Sequence, residues 1–245
     1  MPEQDLSILD AAAVNALLME RRPEFVFNCA AYNAVDRAES ETELANAVNT
    51  NGPAIVAAAC RRLGAKFVHY STNYVFDGLL NRPYVESDTP SPLSEYGRSK
   101  LGGEVGVLAV APDVLLIRTA ALFGGPLSFP RRILARASSG ERTRVVSDQR
   151  VNPTYTRDLA VTSLELAGQG ATGIVHVVAE GCCSWDEFAR AVLAEVGIAA
   201  EVESIRSDAY PAAARRPLNG CLATTRYRPL RPWREALHEW AAGLK

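Results

Sequence analysis

A tyrosine and a lysine stand four residues apart in the segment Tyr96-Gly97-Arg98-Ser99-Lys100. If the segment is helical, this spacing places the phenol and the ammonium group on the same face. The ordinary pKa of a tyrosine is about 10, and a nearby ammonium charge lowers it by stabilising the phenolate. Such a pair can pass a proton to a carbonyl oxygen while a hydride reaches the carbon. The pattern therefore predicts proton-transfer chemistry, although it also occurs as a plain surface pair in many helices.

Two hydroxyl side chains, Ser71 and Thr72, follow the apolar run Phe67 to Tyr70. Parallel sheets bind ligands at the carboxyl ends of their strands, so a strand here would deliver both hydroxyls to a ligand-binding edge. A hydroxyl at that edge can hydrogen-bond the carbonyl or alcohol oxygen of a substrate. The alternative is a turn that merely caps the end of the strand.

The elements that must position these residues are short apolar strands separated by helices. Strands are predicted at Phe25–Asn28, Lys66–Thr72 and Val114–Thr119, and helices at Ala11–Glu20, Glu43–Leu63 and Ser94–Leu108. Strand, helix and strand at this spacing form a parallel crossover unit. The sequence therefore predicts an α/β protein with a doubly wound parallel, Rossmann-like sheet.

The rhythm becomes irregular after Gly124 and Gly125, which predicts a smaller C-terminal α/β lobe. We assign residues 1–125 to the Rossmann-like domain and residues 126–245 mainly to a substrate-binding lobe. The predicted elements of the lobe are strands at Val145–Ser147 and Gly173–Val178, and helices at Arg157–Leu166, Ser184–Val196 and Arg234–Leu244. Trp185 and Trp233 are expected to anchor this lobe, because aromatic residues at helix starts usually serve the core.

The composition favours a small-molecule partner over a polymer or a membrane. The 245 residues are 48% hydrophobic and 22% charged, with a formal net charge of −2. Such a chain lacks the basic excess that attracts nucleic acid or an anionic membrane. The start shows no cationic segment leading into an apolar one, and Pro112 and Asp113 interrupt the apolar stretch from Val105 to Ile117. We therefore expect a cytoplasmic protein with no membrane segment.

The cysteines and histidines show no metal-binding pattern. Five cysteines are an odd number, and none forms a Cys-x-x-Cys pair, so we expect them to be reduced, buried and inert. The three histidines are scattered, and none has a carboxylate or cysteine at a metal-ligand spacing. Asp36 and Glu39 lie three residues apart at a predicted helix start, where a solvated cap is a simpler interpretation than a metal site.

A resemblance to a known family rests on the segment His69-Tyr70-Ser71-Thr72-Asn73-Tyr74-Val75-Phe76-Asp77-Gly78. It resembles the Ser-Thr-Asp-Tyr-Val-Phe-Asp-Gly signature of dTDP-4-dehydrorhamnose reductases, which are extended short-chain dehydrogenases. Further matches follow in order at Asn28–Tyr32, Val35–Glu39, Tyr96–Lys100, Arg118-Thr119, Asp148-Gln149, Pro153-Thr154, Trp185, Phe188-Ala189, Arg216-Pro217 and Asn219. The resemblance spans essentially the whole chain.

The resemblance implies hydride transfer from NADPH or NADH to the 4-keto group of a dTDP-deoxysugar, as in the formation of dTDP-L-rhamnose from dTDP-4-dehydro-L-rhamnose. It makes Tyr96 the proton donor. Lys100 would orient the nicotinamide ribose and adjust the acidity of Tyr96, and Thr72 would polarise the carbonyl. The family's cofactor contacts fall on Ile8, Ala31, Tyr32, Asn33, Tyr70, Tyr96 and Lys100. Its substrate contacts fall on Thr72, Asn73, Tyr74, Ala121, Asn152 and Arg216.

Arg215 and Arg216 form a cationic pair whose guanidinium forks could bind a diphosphate bidentately, although surface solvation explains them equally well. Family members can use magnesium at a subunit interface, and a homodimer is therefore a further expectation. No ligand set for magnesium is evident in this sequence, so no metal site is predicted.

The sequence lacks the strand, Gly-x-x-Gly-x-x-Gly turn and helix with which family members hold the cofactor diphosphate. Its first residues match the family only after the second strand, so roughly thirty residues of the first βαβ unit are missing by comparison. That strand is central in such sheets, and we expect its absence to leave a gap in the ladder, to uncover apolar side chains and to weaken cofactor binding. A rearranged sheet, a covering second chain or a truncated sequence could each account for it.

Smaller departures bear on the substrate. Asn73 stands where the family has an aspartate, Ser7 replaces an aspartate on the adenosine side, and Ala121 replaces a tryptophan that packs on the sugar. These changes support an alternative function, a non-catalytic sugar-nucleotide-binding or regulatory homologue that has lost cofactor binding. The retained Thr72, Tyr96 and Lys100 favour the reductase.

Overall fold

The computed structural model describes residues 6–244, in which helices and mostly short strands alternate. The α-helices are α1 (Ala11–Arg21), α2 (Thr42–Asn46), α3 (Gly52–Leu63), α4 (Glu95–Val110), α5 (Phe129–Ser138), α6 (Thr156–Gly168), α7 (Trp185–Glu195) and α8 (Trp233–Ala242). The strands are β1 (Phe25–Asn28), β2 (Lys66–Thr72), β3 (Leu115–Thr119), β4 (Leu122–Phe123), β5 (Thr143–Val146), β6 (Arg150–Val151), β7 (Thr154–Tyr155), β8 (Gly173–His176), β9 (Ala179–Glu180), β10 (Cys183–Ser184), β11 (Val202–Ile205) and β12 (Leu230–Pro232). A π-helical turn, Ala47–Asn51, joins α2 to α3, and 3-10 turns occupy Arg37–Glu39, Asn73–Val75 and Ser207–Ala209.

Four parallel strands form the main sheet, in the order β1-β2-β3-β8. Helices α1, α3 and α4 pack on one face, where Phe67 lies in a cluster with Val14 and Val107. Helix α6 covers the other face through Leu159 and Leu166. Helices on both faces of a parallel sheet confirm the predicted doubly wound α/β fold.

Strand β8 belongs to the main sheet, whereas the sequence analysis placed this segment in the smaller lobe. Its residues pair in register with β3, from Leu115 opposite Gly173 to Arg118 opposite His176. Val175 and Val177 are buried in the same cluster as the α6 face of the sheet. The strand is short and follows a long irregular stretch of sequence, so local pattern did not reveal this long-range pairing.

Strand β1 lies at the edge of the sheet, and the described part of the chain pairs it with β2 alone. The expected gap in the hydrogen-bond ladder is wrong, because β1, β2, β3 and β8 pair contiguously from one edge to the other. The apolar side chains of β1 are partly uncovered, as expected, since Phe25, Val26 and Phe27 are only half-buried.

The smaller lobe is built around an aromatic core. Phe123, Phe188, Trp233 and Trp240 form this core with apolar residues of α5, α7 and α8. Trp233 is buried in it and Trp185 packs against it, which confirms their predicted anchoring role. Strand β5 overlaps the strand predicted at Val145–Ser147, whereas helix α5 and strand β11, which pairs in parallel with β5, were not predicted. The domain boundary after residue 125 stays a prediction.

The cysteines only partly follow the sequence-based expectation. Cys60 and Cys183 are free and buried, and burial raises their pKa to about 11 and about 12 respectively. Cys29 is exposed, however, and Cys182 is disulfide-bonded to Cys221. The fold brings these two together across a separation of 39 residues, which the spacing of cysteines along the chain could not reveal. In residues 6–244 no helix has the length and apolarity needed to cross a membrane.

Candidate active site

Three side chains from two elements meet at the carboxyl end of β2, as the sequence analysis predicted. Thr72 ends the strand, while Tyr96 and Lys100 lie on successive turns of α4. All three are buried, with relative exposures of 7%, 9% and 4%. The Thr72 hydroxyl lies beside the phenol of Tyr96, where it favours the phenolate and so acts to lower the pKa of Tyr96. The ring of Tyr74 packs edge-on against that of Tyr96, with 5.4 Å between the centroids.

The start of α4 is fixed by a cap and by a close approach. Ser94 caps the helix, and its Oγ accepts a hydrogen bond from the Gly97 N–H at 3.2 Å. A Cβ on Gly97 would stand 2.4 Å from the Tyr74 carbonyl oxygen, and one on Gly103 would stand 2.2 Å from the Asn49 carbonyl oxygen. Only glycine allows the helix to pack this closely, and this packing holds Tyr96 beside Thr72.

The electrostatics of Tyr96 and Lys100 differ from the sequence-based expectation. Burial raises the pKa of Tyr96 to about 12, and the neighbouring Thr72 hydroxyl opposes that rise only in part. The Lys100 Nζ donates to the carbonyl oxygen of Tyr70 at 2.6 Å and not to the phenol. The predicted lowering of the tyrosine pKa by the ammonium group is therefore wrong for this structure. Burial also lowers the pKa of Lys100 to about 8, against the charge of Glu104, which raises it.

A buried ion pair lies directly beneath these residues. Arg118 of β3 donates from Nε to Glu104 Oε1 at 2.9 Å and from Nη2 to Oε2 at 2.6 Å, and both side chains are 2% exposed. Ser71 donates its hydroxyl to Glu104 Oε1. Its side chain points away from Thr72, since successive residues of a strand face opposite sides. Ser71 therefore links β2, β3 and α4, and does not present its hydroxyl beside Thr72.

Asn49 is a site residue that the sequence analysis missed. It is fully buried, its Oδ1 accepts from the Tyr32 N–H at 2.8 Å, and its Nδ2 donates to the Tyr32 carbonyl oxygen and to Ser99 Oγ, both at 3.0 Å. The π-helical turn aims Asn49 at the loop after β1, and such turns recur at functional sites. The segment looked like an uninterrupted helix in the sequence, where an asparagine on the apolar side was the only signal.

The predicted cofactor residues fall in three places. Ala31, Tyr32 and Asn33 form the loop after β1, where the Tyr32 hydroxyl donates to Glu41 Oε2 at 2.5 Å. Ile8 packs on Gly52 at the start of α3. The ring of Tyr70 packs on the α6 face of the sheet, opposite Lys100. These contacts with a cofactor stay predictions.

The residues present fit one end of a nicotinamide cofactor. Lys100 is a buried cation at the carboxyl edge of the sheet, beside the Tyr32 loop, and it can donate to ribose hydroxyls there. The other end of such a cofactor carries a diphosphate, which this fold usually binds at a glycine-rich turn. No such turn follows a strand in residues 6–244.

A cavity of about 980 Å³ opens between the end of the sheet and the smaller lobe. Its wall includes Asn33, Tyr74 and Arg216 from the predicted sites, and residues of α5 and Trp185 from the lobe. Cavities of this size hold ligands as large as a nucleotide sugar. Tyr74 lies both in this wall and against Tyr96, so it connects the cavity to the proton-transfer residues.

Arg216 is paired within the cavity wall. Its Nη1 and Nη2 donate to Asp36 Oδ1 at 3.0 Å and Oδ2 at 2.7 Å. Burial raises the pKa of Tyr74, and the Arg216 guanidinium opposes that rise. The ion pair holds the pKa of Asp36 below its ordinary value. The prediction that Asp36 and Glu39 form a solvated cap is therefore wrong, because Glu39 likewise accepts the N–H of Glu95 at 2.8 Å.

Three other predicted substrate residues lie outside the cavity wall. Asn152 donates to the carbonyl oxygens of Ala179 and Gly181 and accepts the Leu222 N–H, so its amide braces the lobe and is not available to a ligand. Asn73 is buried and donates to the Gly220 carbonyl oxygen at 3.0 Å.

Ala121, the third of them, adopts a backbone conformation that favours glycine, with φ at 44°. Its carbonyl oxygen accepts a hydrogen bond from the Thr154 N–H at 3.2 Å. This bond joins the segment between β3 and β4 to β7. A contact between its methyl group and a sugar stays a prediction. No group of three or more His, Cys, Asp or Glu side chains in the described chain is arranged to hold a metal ion.

Comparisons with known proteins show which family this chain resembles. The sequence model of the RmlD substrate binding domain matches residues 1–245. A dTDP-4-dehydrorhamnose reductase of Streptomyces griseus is 40% identical, over 96% of this chain and 81% of that protein. The spore coat polysaccharide biosynthesis protein SpsK of Bacillus subtilis is 37% identical, over 96% of this chain and 84% of that protein.

Solved structures give the same result. The crystal structure of a dTDP-4-dehydrorhamnose reductase from Clostridium acetobutylicum matches with a TM-score of 0.95 and 36% identity, covering 98% of this chain and 88% of that one. The Bacillus anthracis reductase in complex with NADP matches with a TM-score of 0.94 and 32% identity, covering 97% and 87%. The chain belongs to the dTDP-4-dehydrorhamnose reductase family.

Proposed function

We propose that this protein transfers hydride from NADPH or NADH to the 4-keto group of a dTDP-linked deoxysugar, with dTDP-4-dehydro-L-rhamnose as substrate. The observation that carries the proposal is the buried placement of Thr72 beside Tyr96, whose ring contacts Tyr74 in the wall of a cavity of about 980 Å³. Membership of the reductase family gives the reaction class.

Tyr96 acts as the acid in this reaction. A phenol whose pKa is raised to about 12 is protonated at neutral pH and holds the proton that the product alcohol needs. Thr72 donates its hydroxyl to the carbonyl oxygen and stabilises the negative charge that develops there. A bound nicotinamide cofactor supplies the hydride to the carbon. The products are an alcohol and a phenolate, which regains its proton from solvent.

Lys100 would hold the cofactor. Its ammonium group would donate hydrogen bonds to the hydroxyls of the nicotinamide ribose. The loop of Ala31, Tyr32 and Asn33, held by Asn49, borders the same space. Burial of Tyr96 and Lys100 excludes water, which strengthens these electrostatic interactions.

The test is turnover of dTDP-4-dehydrorhamnose, followed by NADPH oxidation and by isolation of dTDP-rhamnose. Tyr96→Phe should lower the rate by 100-fold or more, the usual contribution of general acid catalysis. Tyr155→Phe is the matched control, because Tyr155 stacks on Phe123 in the lobe and should leave the rate unchanged. Full activity of Tyr96→Phe contradicts the assigned role.

A second candidate is a non-catalytic protein that binds the sugar nucleotide without a cofactor. The departures from the family at Asn73 and Ala121, which replace an aspartate and a tryptophan, favour it. Calorimetry with dTDP and with NADPH separately distinguishes the two, since only the reductase binds both. A cytoplasmic location and a homodimer remain predictions alongside either function.

A further inference from the structure

Helix α5 presents two arginines to the cavity. Arg132 and Arg136 stand four residues apart, so their side chains lie on the same face of the helix, and both line the cavity wall. Ile133, between them, is buried and fixes the orientation of this face through its packing in the core of the lobe. The two arginines therefore border the same cavity from consecutive turns of α5.

Neither Arg132 nor Arg136 forms an ion pair with a described residue, whereas three other arginines of the wall do. Arg216 is held bidentately by Asp36, and Arg37 by Glu41. Arg144 is paired more weakly, with its Nε 3.7 Å from the carboxylate of Glu203.

The carboxylates of the wall do not balance the α5 cations. Asp36 is neutralised by Arg216, and Asp208 lies 3.4 Å from Arg206. Asp77 accepts hydrogen bonds from Tyr84 and Leu79. The α5 side of the cavity therefore carries two arginines that form no ion pair with a described carboxylate, and an anionic ligand could pair with both.

We propose that Arg132 and Arg136 bind the diphosphate of the nucleotide-linked sugar. This assignment rests on the proposed function, because it takes the ligand to be a nucleoside diphosphate sugar. Guanidinium groups match the geometry of phosphate oxygens and form charge-assisted hydrogen bonds with them. It also revises the expectation for Arg216, whose donors are used by Asp36 in this structure.

Calorimetry with dTDP tests the assignment without requiring turnover or a cofactor. Arg132→Ala and Arg136→Ala should each weaken dTDP binding about tenfold, equivalent to about 1.4 kcal/mol, and the double variant should weaken it about 100-fold or more. Thymidine, which lacks the diphosphate, is the second probe. Its affinity should be the same for all of these proteins.

Arg131→Ala is the matched control, because Arg131 lies on the same helix but over the ring of Trp240, 5.7 Å from its centroid, and outside the cavity wall. It should change dTDP affinity by less than about twofold. Thermal unfolding of each variant verifies that the lobe is folded. A double variant that is folded and binds dTDP as tightly as the unchanged protein overturns the assignment.

Arg215 is the competing cation, since it lines the same cavity and has no ion pair with a described residue. Loss of dTDP affinity in Arg215→Ala, with the α5 variants unaffected, would place the diphosphate on that loop and overturn the assignment. If the unchanged protein binds neither dTDP nor thymidine, the proposed function itself fails. That result is distinct from tight binding that ignores Arg132 and Arg136.

Discussion

The buried pair Glu104–Arg118 gives the sharpest stability prediction. Glu104→Gln keeps the shape of the side chain and removes its charge, which leaves Arg118 as a cation with 2% exposure and no counterion in the described structure. The Nη1 of Arg118 already has no hydrogen-bond partner among the described residues. Breaking a buried ion pair by removing one partner costs about 3–5 kcal/mol. Domains are stable by only about 5–15 kcal/mol, so the loss should be large.

Urea unfolding measures this loss of stability directly: the midpoint urea concentration should fall while the dependence of the unfolding free energy on urea stays constant. Replacing both partners, Glu104→Gln with Arg118→Met, should recover most of the loss, because an apolar pair avoids the cost of burying charge. The matched control is Glu95→Gln. Its carboxylate pairs with Arg98 at the protein surface, with side-chain exposures of 27% and 48%, and its loss should be below about 1 kcal/mol.

Two outcomes would refute this reasoning. A loss below about 1 kcal/mol for Glu104→Gln would mean that Arg118 finds water or another partner when the charge of Glu104 is removed. A double variant that is less stable than Glu104→Gln would mean that the guanidinium contributes mainly through other contacts. Arg118 also lies over the ring of Phe76, 5.1 Å from its centroid, and that contact is the candidate.

Further predictions concern pH and the backbone. Since burial lowers the pKa of Lys100 to about 8, the ammonium group is lost as pH rises through that value, and turnover should fall above about pH 8; a constant rate to about pH 10 would contradict this. Between pH 8 and the ordinary lysine value of 10.5, Lys100 is protonated in the unfolded state and largely deprotonated in the folded state. Its contribution to the free energy of unfolding should therefore rise with pH across this range, which urea unfolding measures. Ala121→Gly should stabilise the protein by roughly 1 kcal/mol in the same measurement, because it relieves a left-handed φ of 44°; a loss of stability would show that no strain is stored there. Gly97→Ala should cost about 1–3 kcal/mol because its Cβ would meet the Tyr74 carbonyl oxygen at 2.4 Å, whereas Gly106→Ala, with its nearest neighbour at 3.6 Å, should be tolerated; equal effects would contradict the close approach.

The sequence predicted those helices and strands whose apolar residues recur at regular spacing. Strand β2 spans Lys66–Thr72 as predicted, and α1 and α4 differ from prediction by one or two residues at their ends. The four-residue spacing of Tyr96 and Lys100 was enough to place both on one side of α4. Alternating apolar residues and helical spacing are local properties, so a single sequence contains them.

Contacts between distant segments could not be read in the same way. Asp36 and Arg216 are 180 residues apart, and neither position signals the other, so Asp36 was interpreted as a solvated cap. The tuning of Tyr96 was misjudged for a related reason. The hydrogen bond from Lys100 to the Tyr70 carbonyl oxygen, and the burial of the phenol, depend on the packing of α4 against β2.

The most direct test of the central claim is the transfer of deuterium from NADPH, labelled at the transferring position of its nicotinamide ring, to dTDP-4-dehydrorhamnose. The unchanged protein should yield dTDP-rhamnose with one deuterium on carbon 4 of the sugar, detected by mass spectrometry. Recovery of the keto sugar without deuterium, from a protein that calorimetry shows to bind dTDP, would contradict the reductase function and support the non-catalytic binder.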